Sequence, residues 1–173
     1  MHDRAGAPGS CGSCMAGAAL KVWVAAVGKP RDAALAAAIR EYETRAARYW
    51  SLEVIEVREE SAKGAPPDLV MKKEGERLME RVPTSARLIL CDPGGESFTS
   101  ASFAAMMQSQ RESAEDVTFV IGGAHGLGEA VRKRAHRRLA LSPWTLPHEL
   151  ARLVLAEQLY RAGTIGRGEP YHK

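Results

Sequence analysis

Cysteine is scarce in this chain, and its spacing excludes two common frameworks. The 173 residues hold three cysteines, too few for the disulfide network of a small secreted domain. Cys11 and Cys14 have the spacing of a metal or redox pair, but no second pair exists to complete a zinc site. We predict two free thiols in a floppy tail, no metal site and a reducing, cytoplasmic location. Cys91 is predicted to be a small buried residue.

Long hydrophobic runs are also absent. Hydrophobic residues make up 45% of the chain and charged residues 26%, yet no apolar stretch approaches the ~20 residues that cross a membrane. Lys21 interrupts the apolar run near the N-terminus, and no small-residue cleavage site follows it. The sequence therefore predicts neither a membrane partner nor a secretion signal.

The common glycine-rich nucleotide motifs are missing as well. No lysine follows Gly122, Gly123 or Gly126 at the Walker spacing, and the dinucleotide fingerprint is absent after the first predicted strand. The nucleophile motif of serine hydrolases is also absent. Glycine-rich turns instead follow the third and fourth predicted strands, an unusual position that excludes an ordinary Rossmann-type methyltransferase.

Strand-like and helix-like segments alternate five times, which predicts an α/β fold with helices on both faces of a mostly parallel sheet of five or six strands. Residues 1–19 lack large apolar side chains apart from Met15 and are predicted to be disordered. Residues 20–173 are predicted to form a single domain. The predicted strands are 20–27, 52–57, 87–92, 117–121 and 139–141. One predicted helix begins near residue 32, and the others span 68–81, 100–113, 129–138 and 147–162.

Positive charge is concentrated in the last quarter of the chain. Residues 129–173 hold nine Lys and Arg against four Glu, a local net charge of +5 that leaves −2 for the rest. Such a concentration indicates an anionic partner, of which a phosphate backbone is the usual one. The basic run 132–138 could equally be a solvated helix face.

Several segments in order resemble one known family. They are Leu20 to Lys29, Lys72 to Glu76, the Gly122 loop, the Leu141 to His148 segment, Leu155 to Ala162 and the closing Arg-Gly-Glu-Pro-Tyr-His-Lys. Together they are similar to the ribosomal RNA large subunit methyltransferase H family, small enzymes of the SPOUT superfamily.

The resemblance implies a fold, a cofactor and a reaction. The fold would be an α/β trefoil knot, and the enzyme would act as a homodimer on the ribosome. It would transfer a methyl group from S-adenosylmethionine to N3 of a pseudouridine in 23S ribosomal RNA. The cofactor contacts of the family fall on Cys91, Gly122, Leu141, Ser142, Pro143, Trp144, Thr145 and Leu146.

The residues themselves suggest how such chemistry would work. Leu141, Trp144 and Leu146 would supply apolar walls for a cofactor, with Trp144 a packing residue more than a stacking platform. The proton on N3 must leave, and His148, Tyr171 and His172 are the titratable candidates for handling it.

Tyr171 and His172 in the C-terminal tail are interpreted as reaching the substrate across the dimer, and His148 as a structural or supporting residue. The candidates for RNA binding are Arg152, Arg161, Arg167 and Lys173. Arg152 and Arg161 could instead satisfy carboxylates, for example Glu157 four residues before Arg161.

Two other functions fit the same sequence less well. A non-catalytic RNA-binding module of the same fold would bind RNA with a steep salt dependence and would not bind the cofactor. A nucleotide-using enzyme of flavodoxin-like topology would show a nucleotide-dependent melting temperature.

Overall fold

The computed structural model describes residues 20–61 and 63–172, except for the side chain of His172. The predicted disorder of residues 1–19, the Cys11 and Cys14 thiols and the role of Lys173 therefore lie outside the described residues. The strands are β1 Lys21–Val27, β2 Ser51–Val57, β3 Arg87–Ser97, β4 Val117–Ile121 and β5 Arg137–Ala140, and the helices are α1 Ala33–Ala46, α2 Pro67–Arg81, α3 Ser100–Glu112, α4 Glu129–Arg134 and α5 His148–Gly166, followed by a 3₁₀ turn at Pro170–His172.

The strands form one parallel sheet in the order β2-β1-β4-β3-β5. This confirms the predicted α/β class and parallel sheet, with five strands. Every residue of β1 after Lys21 and every residue of β4 is buried, because strands covered on both faces are apolar throughout. Parallel strands end at one edge, so the loops after β3, β4 and β5 are brought together there.

Helices cover both faces of the sheet, as predicted. One core cluster holds Phe103 of α3 and Leu155 of α5 together with Ala46 of α1. The other holds Leu78 of α2 and Val131 of α4. Both α1 and α3 pack against α5, so the last helix is the centre of the first layer.

Helix starts agree with the capping residues in the sequence. The Asp32 carboxylate accepts a hydrogen bond from the Leu35 amide at 2.8 Å, and Thr99 accepts one from Ser102 at the start of α3. These side chains satisfy amides that have no partner within the helix. The observed start of α1 at Ala33 agrees with the predicted start near residue 32.

The third strand is longer than predicted. Its pairing with β5 shifts register between Cys91 and Glu96 and then resumes through Ser97. At Gly95 the chain passes so close to β5 that a Cβ would lie 2.6 Å from the carbonyl carbon of Arg138. Glycine-rich turns usually end a strand. Here the glycines form a bulge within β3, because the absence of a side chain permits the close approach to β5.

The basic helix is shorter than predicted, ending at Arg134 instead of 138, and β5 starts two residues early, at Arg137. Leu88 of β3 makes two hydrogen bonds with His136. Its amide donates to the imidazole Nδ1, and its carbonyl accepts from the His136 amide. Strand pairing therefore outweighs helix propensity at residues 135–138.

The last helix runs four residues beyond the predicted end at 162, and Pro147 precedes it instead of lying in its first turn. At Gly163 a Cβ would lie 2.2 Å from Cγ of Tyr49. The glycine thus admits the tyrosine ring against the helix, and this packing extends α5.

No helix in the described ranges is long and apolar enough to cross a membrane. The trefoil knot implied by the resemblance stays a prediction.

Candidate active site

A cleft of about 610 Å³ opens at the edge of the sheet where β3, β4 and β5 end. Its volume lies within the range of small-molecule sites. The bulged part of β3 and the loops that follow β4 and β5 line it, and the start of α5 closes one side. Of the predicted cofactor residues, those that line the cleft are Cys91, Gly122, Leu141, Ser142, Trp144, Thr145 and Leu146. Pro143 lies in the same segment but does not line the cavity.

The loop after β4 depends on close backbone contact. A Cβ on Gly122 would lie 2.8 Å from the carbonyl carbon of Gly126. Gly126 has a φ of 82°, and its amide donates to the Gly123 carbonyl at 3.0 Å. Such φ values favour glycine, so the loop folds back on itself and presents backbone atoms to the cleft. His125 is exposed at the tip.

Trp144 is placed differently from the prediction. Its side chain was expected to pack, but 77% of its surface is exposed, although it lines the cleft. Its amide donates to the Ser142 hydroxyl at 3.0 Å, a local turn that directs the indole away from the core. The apolar walls are therefore Ile121, Leu141 and Leu146, with the indole at the mouth.

Cys91 lies at the inner end of the cleft and is half-buried. Burial raises the pKa of its thiol to about 12, because an apolar environment disfavours the thiolate. Cys91 was predicted to be a small buried residue; it is only half-buried because it faces the cleft, and its thiol stays neutral at physiological pH.

His148 lines the cleft from the first turn of α5. Its Nε2 is buried without a hydrogen-bond partner among the described residues. Two carboxylates lie near that nitrogen, Glu59 Oε1 at 3.8 Å and Glu149 Oε1 at 4.0 Å. His148 therefore remains a candidate for handling the proton, with two carboxylates near its Nε2.

Tyr171 does not lie in this cleft. Its hydroxyl donates to Glu157 Oε1 at 3.2 Å, and its ring lies 4.5 Å from that of Tyr160. Burial raises the pKa of Tyr171, with hydrogen bonding to Tyr42 and the charge of Glu157 adding to the effect. Tyr171 is therefore a neutral hydroxyl and not a phenolate base. The side chain of its predicted companion, His172, lies outside the described residues.

Of the predicted RNA-binding arginines, Arg152 is not available. It is 6% exposed, and its guanidinium binds Glu43 at 2.8 Å and Glu56 at 2.6 Å. Of its two predicted roles, the structure therefore supports the pairing with carboxylates.

Arg161 pairs with Glu157 at 2.5 Å, which confirms the predicted contact. Arg161 also lies 4.8 Å from the centre of the Tyr171 ring. Arg167 is exposed, over the Tyr49 ring.

Two charged residues of the cleft were missed. Asp92 and Arg132 both line it, and Asp92 is 8% exposed. An acidic residue directly after an apolar strand is the signal that could have identified Asp92. Among the described residues, no group of three or more His, Cys, Asp or Glu is arranged to hold a metal ion.

Comparison with known proteins identifies the family. The family model described as "Predicted SPOUT methyltransferase" matches residues 20–172. The chain belongs to the SPOUT methyltransferase family.

Its relatives within this family carry a more specific name. Ribosomal RNA large subunit methyltransferase H of Gemmatimonas aurantiaca is 62% identical, over 89% of this chain and all of the relative. The protein of that name from Geobacter metallireducens is 46% identical, over 88% of this chain and 99% of the relative. The chain is therefore a member of the methyltransferase H group of SPOUT enzymes. The structure of TrmJ from Z. mobilis matches weakly, with a TM-score of 0.42 and 14% identity over 84% of this chain and 70% of that one.

SPOUT methyltransferases in general use S-adenosylmethionine, and the residues of this cleft fit that molecule. The folded-back glycine loop offers main-chain groups for a base edge, and Leu141 and Leu146 offer apolar surface for its faces.

Proposed function

We propose that this protein is an S-adenosylmethionine-dependent methyltransferase that modifies N3 of a pseudouridine in 23S ribosomal RNA. One observation carries the proposal: Cys91, Gly122 and the segment from Leu141 to Leu146 meet in one cleft, although up to 55 residues separate them in sequence. They are the positions to which the resemblance assigned the cofactor. The names of the relatives support ribosomal RNA as the substrate.

The cleft residues would bind and orient the cofactor. The cofactor, when bound, supplies an electrophilic methyl group, so the protein has mainly to position the acceptor and exclude water. Ile121, Leu141 and Leu146 provide the apolar surface for this, and the neutral Cys91 thiol adds to it without offering a competing nucleophile.

The proton on N3 needs a route away from the acceptor. His148 is the titratable candidate that lines the cleft, with Glu59 and Glu149 near its Nε2. Tyr171, as a neutral hydroxyl, would act as a hydrogen-bond donor to substrate. We place the tail residues Tyr171, His172 and Lys173 at the substrate side, together with Arg161 and Arg167.

The tail and the cleft of one chain are well separated, which supports a homodimer. From His148 at the cleft to Tyr160 beside Tyr171 the helix rises ~18 Å, and Tyr171, the tail residue whose side chain is described, does not line the cavity. A second copy of the chain could bring its tail to this cleft. The proposed site of action is the ribosome, in the cytoplasm.

Cofactor binding can be followed through tryptophan fluorescence. The chain has three tryptophans; Trp23 and Trp50 are 8% and 4% exposed, and Trp144 is 77% exposed at the cleft. Titration with S-adenosylmethionine should therefore change the red-shifted, quencher-accessible emission, and Trp144→Phe should remove that signal while calorimetry still detects binding. Unchanged emission together with no heat of binding would refute the cofactor assignment.

Methyl transfer tests the substrate. Labelled S-adenosylmethionine is incubated with ribosomes, large subunits or free 23S ribosomal RNA from cells that lack the modification. Label at N3 of pseudouridine supports the proposal. Cofactor binding without transfer to any of these substrates refutes the substrate assignment. RNA binding with a steep salt dependence but no cofactor binding would identify a non-catalytic RNA-binding module.

A further inference from the structure

We infer that Arg132 is a positioning residue that ties the glycine loop to the end of β3 and thereby holds the cleft in shape. Its Nε donates to the Leu127 carbonyl at 3.0 Å, and its Nη1 lies 3.2 Å from Asp92 Oδ2. One guanidinium thus joins the loop after β4 to the bulged part of β3. The inference rests on the proposed cofactor site, because it states how that site is held.

The Asp92 end of this bridge is a buried carboxylate. Asp92 Oδ1 accepts from the Gly94 amide at 2.9 Å, whereas Oδ2 has no hydrogen-bond partner of good geometry within the described ranges. Arg132 is the nearer cation to Oδ2, and Arg138 lies farther, at 3.9 Å. Since a buried carboxylate is costly unless a cation accompanies it, the pair holds the arginine at the end of β3.

The Leu127 end lies where the glycine loop enters α4. Leu127 is 5% exposed and packs in the core beneath α2 and α4. Its carbonyl is fixed by the Arg132 side chain, and the Arg132 amide donates to the Gly128 carbonyl at 3.1 Å. Arg132 therefore anchors the loop through both its side chain and its backbone.

Arg132 differs in this respect from its basic neighbours. Lys133 follows it on the same helix, is exposed and carries the same charge. The Lys133 side chain, however, makes no ion pair or hydrogen bond with any other described residue. If Arg132 served only to contact RNA phosphates, the two residues would be equivalent. The fork of the guanidinium, which reaches a carbonyl and a carboxylate at once, is what a lysine cannot reproduce.

The test compares Arg132→Ala with Lys133→Ala in the full chain. The first measurement is amide hydrogen exchange over residues 122–128 without cofactor, and the second is the affinity for S-adenosylmethionine by calorimetry. We expect Arg132→Ala to accelerate exchange in this loop and to weaken cofactor binding about tenfold or more, the effect of one lost charge-assisted hydrogen bond. Lys133→Ala should leave both unchanged.

Asp92→Asn closes a double-mutant cycle. If the two groups act as one bridge, the double variant should exchange and bind like Arg132→Ala alone. Equal behaviour of Arg132→Ala and Lys133→Ala in both measurements would overturn the inference, as would an effect on RNA affinity alone. If the wild-type protein did not bind the cofactor, the proposed function would fail, while the exchange data would still decide whether Arg132 holds the loop.

Discussion

Gly122 and Gly126 approach each other backbone to backbone in the loop after β4. A Cβ on Gly122 would lie 2.8 Å from the Gly126 carbonyl carbon and 2.9 Å from its oxygen. Backbone atoms cannot rotate away from such a contact as a flexible side chain can. The requirement for glycine at 122 is therefore steric, and it lies at the cleft itself.

Gly122→Ala should weaken the binding of S-adenosylmethionine on the order of ten- to hundredfold, because the loop must shift to accommodate the methyl group. Gly166→Ala is the matched control, since a Cβ there meets only Gln108 Oε1 at 3.9 Å. Calorimetry measures the affinity, and size-exclusion chromatography checks that the oligomeric state is unchanged. Unchanged affinity in Gly122→Ala would remove this loop from the site.

Glu74 is a second residue whose burial changes a property of the protein, in this case the pKa of its own carboxyl group. It is 3% exposed, and its Oε1 accepts from the Glu60 amide at 3.0 Å. Its Oε2 has no hydrogen-bond partner in the described part of the chain and lies beneath Gly123. Burial raises the pKa of Glu74, so the folded state binds its proton more tightly than the unfolded state does.

The protein should therefore lose stability from this residue as pH rises from the unfolded pKa, 4.5, through the raised folded pKa. Glu74→Gln removes the charge and should raise stability at pH 7.5 by roughly 1 kcal/mol, or about 2–4 °C in Tm. The gain should vanish below about pH 4.5, where the carboxyl is protonated in both states. Thermal unfolding at several pH values measures it, with exposed Glu76→Gln as the control. A gain that did not depend on pH would contradict this account.

At the scale of elements, a buried ion cluster joins α5 to α1 and β2, in addition to the apolar core that α5 shares with its neighbours. Arg152 binds Glu43 of α1 through Nε at 2.8 Å and Nη2 at 3.3 Å, and Glu56 of β2 through Nη1 at 2.6 Å. Three elements distant in sequence thus share one guanidinium. The cluster fixes where the helix starts relative to the sheet, and with it the position of His148.

Arg152→Ala should destabilise the protein by about 3–5 kcal/mol, because two carboxylates would lose their buried cation. Arg152→Lys should not restore stability, since one ammonium cannot bind both carboxylates in the same geometry. Urea denaturation followed by circular dichroism measures the loss, and Arg40→Ala, an exposed change on α1, serves as the control. A loss below 1 kcal/mol for Arg152→Ala would mean that the cluster contributes little.

At the scale of the whole molecule, the cleft and the tail occupy opposite ends of α5. The cleft includes His148 and Ala151, whereas Tyr171 contacts Glu157 and Tyr160 farther along the helix. A single chain therefore does not bring His148 and Tyr171 together. Two chains could do so.

Complementation between two defective chains tests this arrangement. One chain carries Gly122→Ala, and the other ends after Gly168; each alone should transfer little methyl. Truncation should reduce transfer far more than cofactor binding. In a purified heterodimer, the intact cleft of the truncated chain would meet the intact tail of its partner, and about half of the wild-type activity should return.

A tail that served its own cleft would leave the heterodimer inactive, since each chain would retain its own defect. Light scattering of the wild-type protein provides the control: a monomer at micromolar concentration would refute the dimer directly.

Most of the architecture could be predicted from local pattern. The continuous apolar runs of β1 and β4 and the alternation of elements predicted a parallel α/β sheet. The place of the cleft was also predictable, because parallel strands end together and glycine turns follow two of them. The contact between Glu157 and Arg161 was also predicted, because residues four positions apart on a helix lie next to each other.

Contacts between distant segments decided the rest. The bulge at Gly95, the end of α4 and the extension of α5 each depend on packing against another element, as do the burial of Arg152 by Glu43 and Glu56 and the bridge from Arg132 to Asp92. Periodicity and spacing carry information about neighbours within a few residues, whereas these features join residues 40 to 114 positions apart. A sequence pattern can therefore predict which elements form and where a site will lie, but the partners of a buried charge are determined only when the chain is folded.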